Sequence, residues 1–101
     1  MTAADVVDRI KKNIGVPWRD TTYRDTYKSG GPETPVTGIA TTMFNSFDAV
    51  QRAVAAGLNM ILPHETTFWN DRDDFTTVSA DALYREKRDY LAANNLSLIH
   101  I

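Results

Sequence analysis

The stretch Val36–Glu65, VTGIATTMFNSFDAVQRAVAAGLNMILPHE, decides the fold. Val36–Thr42 (VTGIATT) is rich in β-branched residues and reads as a strand. Asn45 and Ser46 are cap-type residues, and Asp48 places a negative charge in the turn that follows. Phe47, Val50, Ala53 and Val54 then line one face of a helix, Phe47–Ala56, with Gly57 as its stop. Leu58–Leu62 is continuously apolar, the pattern of an inner strand covered on both faces. Strand, helix and strand within about 27 residues form a βαβ unit with two parallel strands.

The apolar run ends at Pro63, and the chain at once presents His64 and Glu65. An imidazole and a carboxylate at the end of a buried strand can build half of a metal site, although a lone histidine there is more often a capped or surface residue than a ligand. The imidazole suits Zn, Fe or Mn, and the carboxylate either binds metal or acts as a base. There are no cysteines, so any metal must be held by His, Asp and Glu.

Working outward, Thr2 and Asp5 read as an N-cap and an acidic third helical position. Val6, Val7, Ile10 and Ile14 recur at helical spacing up to Gly15, which predicts a helix over Ala3–Asn13. Val16–Pro35 has no period and is expected to be an ordered loop, because Trp18, Tyr23 and Tyr27 give it apolar surface to bury. Thr66–Ser79 is polar and carries Asp71, Asp73 and Asp74. That cluster lacks the glycine and distal Glu of an EF-hand and reads as a solvated loop. Gly30-Gly31 is not a phosphate loop, since no Gly-Lys-Ser/Thr ending follows and no helix opens there. A third helix is expected over about Ala80–Ala93, with Leu83, Tyr84, Lys87, Tyr90 and Leu91 on one face. Asn94 and Asn95 can end it, and Leu96–Ile101 reads as a third strand, cut short.

The expected fold class is therefore α/β, three-layer, with a parallel sheet of βαβ units behind an N-terminal helix. Hydrophobic content of 43% is ordinary for a globular chain. A net charge of −2 with scattered basic residues argues against nucleic acid as a partner. The N-terminus lacks the charged start and apolar core of a signal peptide. No apolar run approaches the roughly 20 residues that span a bilayer. A cytoplasmic protein without membrane partners is the expectation. At 101 residues the chain makes one small domain or part of one, and an ending inside a strand suggests a fragment.

Pro35–Asn95 resembles the Nif-three-like family, the dinuclear-metal-centre hexameric proteins also described as type 2 GTP cyclohydrolase I. The resemblance is carried by Val36-Thr37-Gly38-Ile39, by the helix end Ala55-Ala56-Gly57, and by Leu58–Leu62 closing on Pro63-His64-Glu65. Leu83-Tyr84 and the turn Asn94-Asn95 complete the order of motifs. One position departs: the second histidine of the family's pair falls on Glu65. The resemblance implies an incomplete N-terminal part of such a protein, with a sheet that is mixed in the full-length parent. It implies a metal-dependent hydrolase-like activity on a small-molecule substrate, and a homo-oligomer at full length. Two divalent metal ions would sit at the carboxyl ends of the strands, with His64 as a ligand and Glu65 as a ligand or catalytic base. The next family ligand would fall at or after the last residue, and the others far downstream. A non-catalytic metal-binding regulatory or scaffold protein, or an inert fragment, is the alternative. The ending Leu96–Ile101 is also similar to a translated sequencing-adapter read-through, so His100 is left out of the site.

Overall fold

The computed structural model describes residues 1–19, 21, 22, 24–68, 76 and 78–101. Its elements are α1 (Ala3–Asn13), β1 (Tyr27–Ser29), β2 (Ile39–Thr42), α2 (Phe47–Ala55), β3 (Met60–Pro63), α3 (Ala82–Ala93) and β4 (Ser97–Ile99). The strands form one sheet in the order β1-β4-β3-β2. β2, β3 and β4 run parallel, with Ile39 opposite Met60 and Ile61 opposite Leu98. The α/β class and the parallel βαβ units are as the sequence reading expects.

Each helix begins where a side chain takes up free backbone N–H groups. Thr2 and Asp5 form a reciprocal capping box at α1. The Ser46 hydroxyl accepts from the Ala49 N–H at α2, and the Asp81 carboxylate accepts from Leu83 and Tyr84 at α3. α2 ends before Gly57, whose φ of +75° is a conformation open to glycine.

Strand alternation divides the core between the two faces of the sheet. Ile61 and Leu98 join Val50 and Ala53 of α2 and Leu91 of α3. Met60 and Ile99 join Ala3, Val6 and Val7 of α1 on the opposite side. One helix below and two above make the three layers.

Four details differ from the sequence reading. Tyr27–Ser29, placed within a loop, is an edge strand antiparallel to β4. Three residues reading Tyr-Lys-Ser carry too little apolar alternation to signal a strand, and pairing with β4 decides it. The sheet is therefore already mixed within this chain. Second, β3 starts at Met60 rather than Leu58. Asn59 turns its amide to the loop, accepting from the Thr37 N–H at 2.7 Å and donating to the Pro35 carbonyl at 2.7 Å. Third, β2 starts at Ile39, because Thr37 before it is bonded to the Asn59 side chain and the Gly57 carbonyl instead of to a strand backbone. Fourth, Leu83 is not on the core face; it is 75% exposed, while Leu91 is fully buried.

Among the described residues, no helix is long and apolar enough to cross a membrane. Trp18 lies half-buried under the Lys11 ammonium, 5.4 Å from the ring centre, and so packs locally as expected. Tyr84 is half-buried edge-on to Phe68, with ring centres 5.0 Å apart.

Candidate metal centre

The carboxyl ends of β2, β3 and β4 lie side by side, the place where open α/β sheets present ligand-binding groups. β3 ends at Pro63, but its pairing with β2 continues for two residues. The His64 N–H donates to the Thr42 carbonyl at 3.0 Å, and the Glu65 N–H donates to the Met43 carbonyl at 2.9 Å. Sequence places both groups at a strand end, and the ladder fixes their backbone there.

Both side chains are exposed, and neither is engaged by another described residue. His64 lines an open groove of about 380 Å³ together with Ile10, Thr41, Thr42, Leu62 and Ile101. The groove lies on the α1 side of the sheet, where Ile10 and Leu62 also pack. Glu65 is outside the groove's lining. An exposed histidine on the lining of a groove, not packed into the core, is open to a metal ion.

The segment is held from three sides. The ring of His100 sets its Nε2 2.7 Å from the His64 carbonyl oxygen. The Ile101 N–H donates to the Pro63 carbonyl at 3.3 Å. Past Glu65, the Lys87 ammonium on α3 donates to the Thr67 carbonyl at 2.5 Å and to the Asn45 carbonyl. It also stands 5.8 Å from the centre of the Phe68 ring.

His64 and Glu65 supply one nitrogen and one oxygen donor, both unengaged, which fits a share of a divalent metal site. They do not close one: among the described residues no three His, Asp or Glu side chains form a group that could hold a metal ion. Asp71, Asp73 and Asp74, expected to be solvated, lie outside the described residues.

Sequence reading put Lys87 on the core face without giving it a role, and left His100 out. The signal for Lys87 was available. A lysine between Tyr84 and Leu91 on a core-facing stripe must find acceptors for its ammonium. Nothing in the spacing around His100 announces its contact, which depends on β4 lying beside β3.

Solved structures share this fold. The Staphylococcus aureus hypothetical protein SA1388 superposes with a TM-score of 0.77 at 21% identity, over 99% of this chain and 28% of that one. A Bacillus cereus protein related to NIF3 gives 0.75 at 13% identity, over 99% and 27%. Reduced HcgD from Methanocaldococcus jannaschii gives 0.72 at 14% identity, over 100% and 39%. The fold is thus the one found in NIF3-related proteins, as the motif order implies. This chain spans less than two fifths of each of these structures. No family model and no curated protein matches it by sequence.

Proposed function

We propose that the chain supplies the N-terminal half-site of a metal-dependent, hydrolase-like protein of the Nif-three-like type. The observation that supports this most is His64. It follows directly on the carboxyl end of β3, is exposed, lines an open groove, and is engaged by no described side chain. The order of motifs around it and the shared fold support the same reading. His64 and Glu65 would hold a share of two divalent metal ions, and the other donors would come from outside residues 1–101.

His64 and Glu65 would hold part of the metal pair, which when bound would supply Lewis-acid chemistry and an acidified water. The chain's own parts do the rest. The Thr42 and Met43 carbonyls hold the backbone of the two donors, so only their side chains remain to be ordered when a metal arrives. The Glu65 carboxylate, when not a ligand, accepts the proton that a water loses. The mixed groove, with Ile10 and Leu62 beside Thr41 and Thr42, suits a small substrate having an apolar part and hydrogen-bonding edges. A homo-oligomer at full length belongs to the same proposal.

The test is the metal content of the full-length parent. His64→Ala should lose most of its bound divalent metal, while Asp73→Ala keeps it. Removing a direct ligand should cost more than the roughly 10–100-fold typical of outer-shell changes. Residues 1–101 alone should bind metal weakly, since catalytic zinc sites use about three protein ligands. Equal metal in wild type and His64→Ala refutes the assignment. An activity screen on the metal-loaded parent then separates a hydrolase from a metal-holding regulatory or scaffold protein.

A further inference from the structure

We propose that Lys87 is a positioning residue for the candidate metal centre, its ammonium tying together the two loops that leave β2 and β3. The proposal rests on the reading of His64 and Glu65 as ligands and adds to it the group that holds their segment in place.

Lys87 lies two turns into α3 and is half-buried. Its Nζ donates to the carbonyl of Asn45, one residue before the Ser46 N-cap of α2. It also donates to the carbonyl of Thr67, two residues past Glu65, at 2.5 Å. The adjoining Phe68 ring stands with its centre 5.8 Å away. An ammonium has three donors and no acceptor. Two carbonyl oxygens and a ring face within reach make a good resting place for it when partly removed from water.

The two tied loops belong to adjacent parallel strands, and both lie at the carboxyl edge. Glu65 is anchored before it by the ladder to Met43, and Thr67 is anchored after it by Lys87. Between these anchors lies one residue, the half-buried Thr66. Asn45 is itself 3% exposed, with its amide nitrogen 3.4 Å from the Thr67 hydroxyl, so a second contact joins the same two loops. Lys87 adds a charge to this seam and fixes how far apart the loops stand. The ladder to β2 already fixes the backbone at His64 and Glu65, so the tie acts on the chain that follows Glu65 and steadies the carboxylate from that side.

The experiment titrates Zn²⁺ into the untagged full-length parent and follows the backbone amide and His64 ring signals of residues 1–101 by NMR. Wild type, His64→Ala, Lys87→Met and Lys87→Arg are compared. The expected result is a Zn²⁺ affinity about tenfold lower in Lys87→Met, in the range of outer-shell losses, and largely restored in Lys87→Arg. Amide exchange at Glu65 should quicken in Lys87→Met while Ile61 in the core stays protected. A lysine that only ties the loops would give the same exchange pattern with Zn²⁺ affinity unchanged, so the affinity change is the deciding readout. Zn²⁺ binding that His64→Ala abolishes and Lys87→Met leaves unchanged overturns the positioning role alone. Zn²⁺ binding that His64→Ala leaves unchanged overturns the ligand reading, and the positioning role with it. If Lys87→Met does not fold, the wild-type Lys87 ammonium decides. Slowly exchanging protons coupled to the Asn45 and Thr67 carbonyl carbons support the tie, and rapid exchange overturns it.

Discussion

The His100 imidazole points its Nε2 at the carbonyl oxygen of His64, 2.7 Å away. A carbonyl only accepts, so Nε2 carries the proton and Nδ1 keeps a lone pair. That Nδ1 is buried and has no hydrogen-bond partner among the described residues. One ring therefore makes a useful bond and carries an unsatisfied acceptor at the same time. Leaving such an atom buried costs about 1–3 kcal/mol, comparable with what the bond contributes. His100→Phe keeps the ring volume and removes both features, so it should change stability by less than about 1 kcal/mol. His100→Ala opens a cavity beside His64 and should cost about 2–4 kcal/mol. Urea unfolding of the two variants checks the order. Equal losses would show that the ring's packing counts for nothing here.

The two faces of α3 give a second comparison. Leu91 is fully buried against Ile61 and Leu98, while Leu83 is 75% exposed. Leu91→Ala should destabilise by about 2–5 kcal/mol. Leu83→Ala should stay within about 0.5 kcal/mol, as surface changes usually do. The sequence places both leucines on one stripe, so this pair measures how far that reading misleads.

What the sequence could reveal follows from the range of each interaction. α1, α2 and the continuous apolar run of β3 are local patterns, and the caps of the two helices are encoded within three residues by Thr2 and Ser46. The strand end at Pro63-His64-Glu65 was legible for the same reason. β1 was not, because Tyr27 and Ser29 become a strand only by pairing with Ile99 and Leu98, some seventy residues away. The start of β3 depends on Asn59 bonding Thr37 and Pro35 across two loops. Lys87 reaching Asn45 and His100 reaching His64 are contacts of the same long-range kind.

Gly30 and Gly15 separate backbone strain from steric conflict. Both have positive φ, +63° and +73°. At Gly15 an added Cβ meets nothing within 4 Å, whereas at Gly30 it would lie 2.9 Å from the Leu96 carbonyl oxygen and 3.0 Å from the Ser97 Cα. Gly15→Ala should cost about 1–2 kcal/mol, the ordinary penalty of the left-handed region. Gly30→Ala must in addition push β1 away from β4, so it should cost clearly more. Thermal melts of the two variants give the comparison, and a milder effect at Gly30 would contradict the close approach.

The capping box at α1 predicts a pH dependence. The Asp5 carboxylate accepts from the Thr2 N–H at 2.7 Å and from the Thr2 hydroxyl at 3.0 Å. These bonds, the backbone one first, hold its pKa below the usual 3.8. A carboxyl with a depressed pKa in the folded state stabilises that state fully above its unfolded value. The contribution fades as pH falls through 3.8 toward the lower folded value. Asp5 is exposed, so salt and water screen the effect and its size is modest. Asp5→Asn keeps an oxygen to accept the Thr2 N–H but cannot titrate. The expected outcome is a wild-type melting temperature that drops more steeply between pH 5 and pH 2 than that of Asp5→Asn, with the two curves converging at the acid end. Parallel curves across that range would mean that the capping box does not couple α1 to pH.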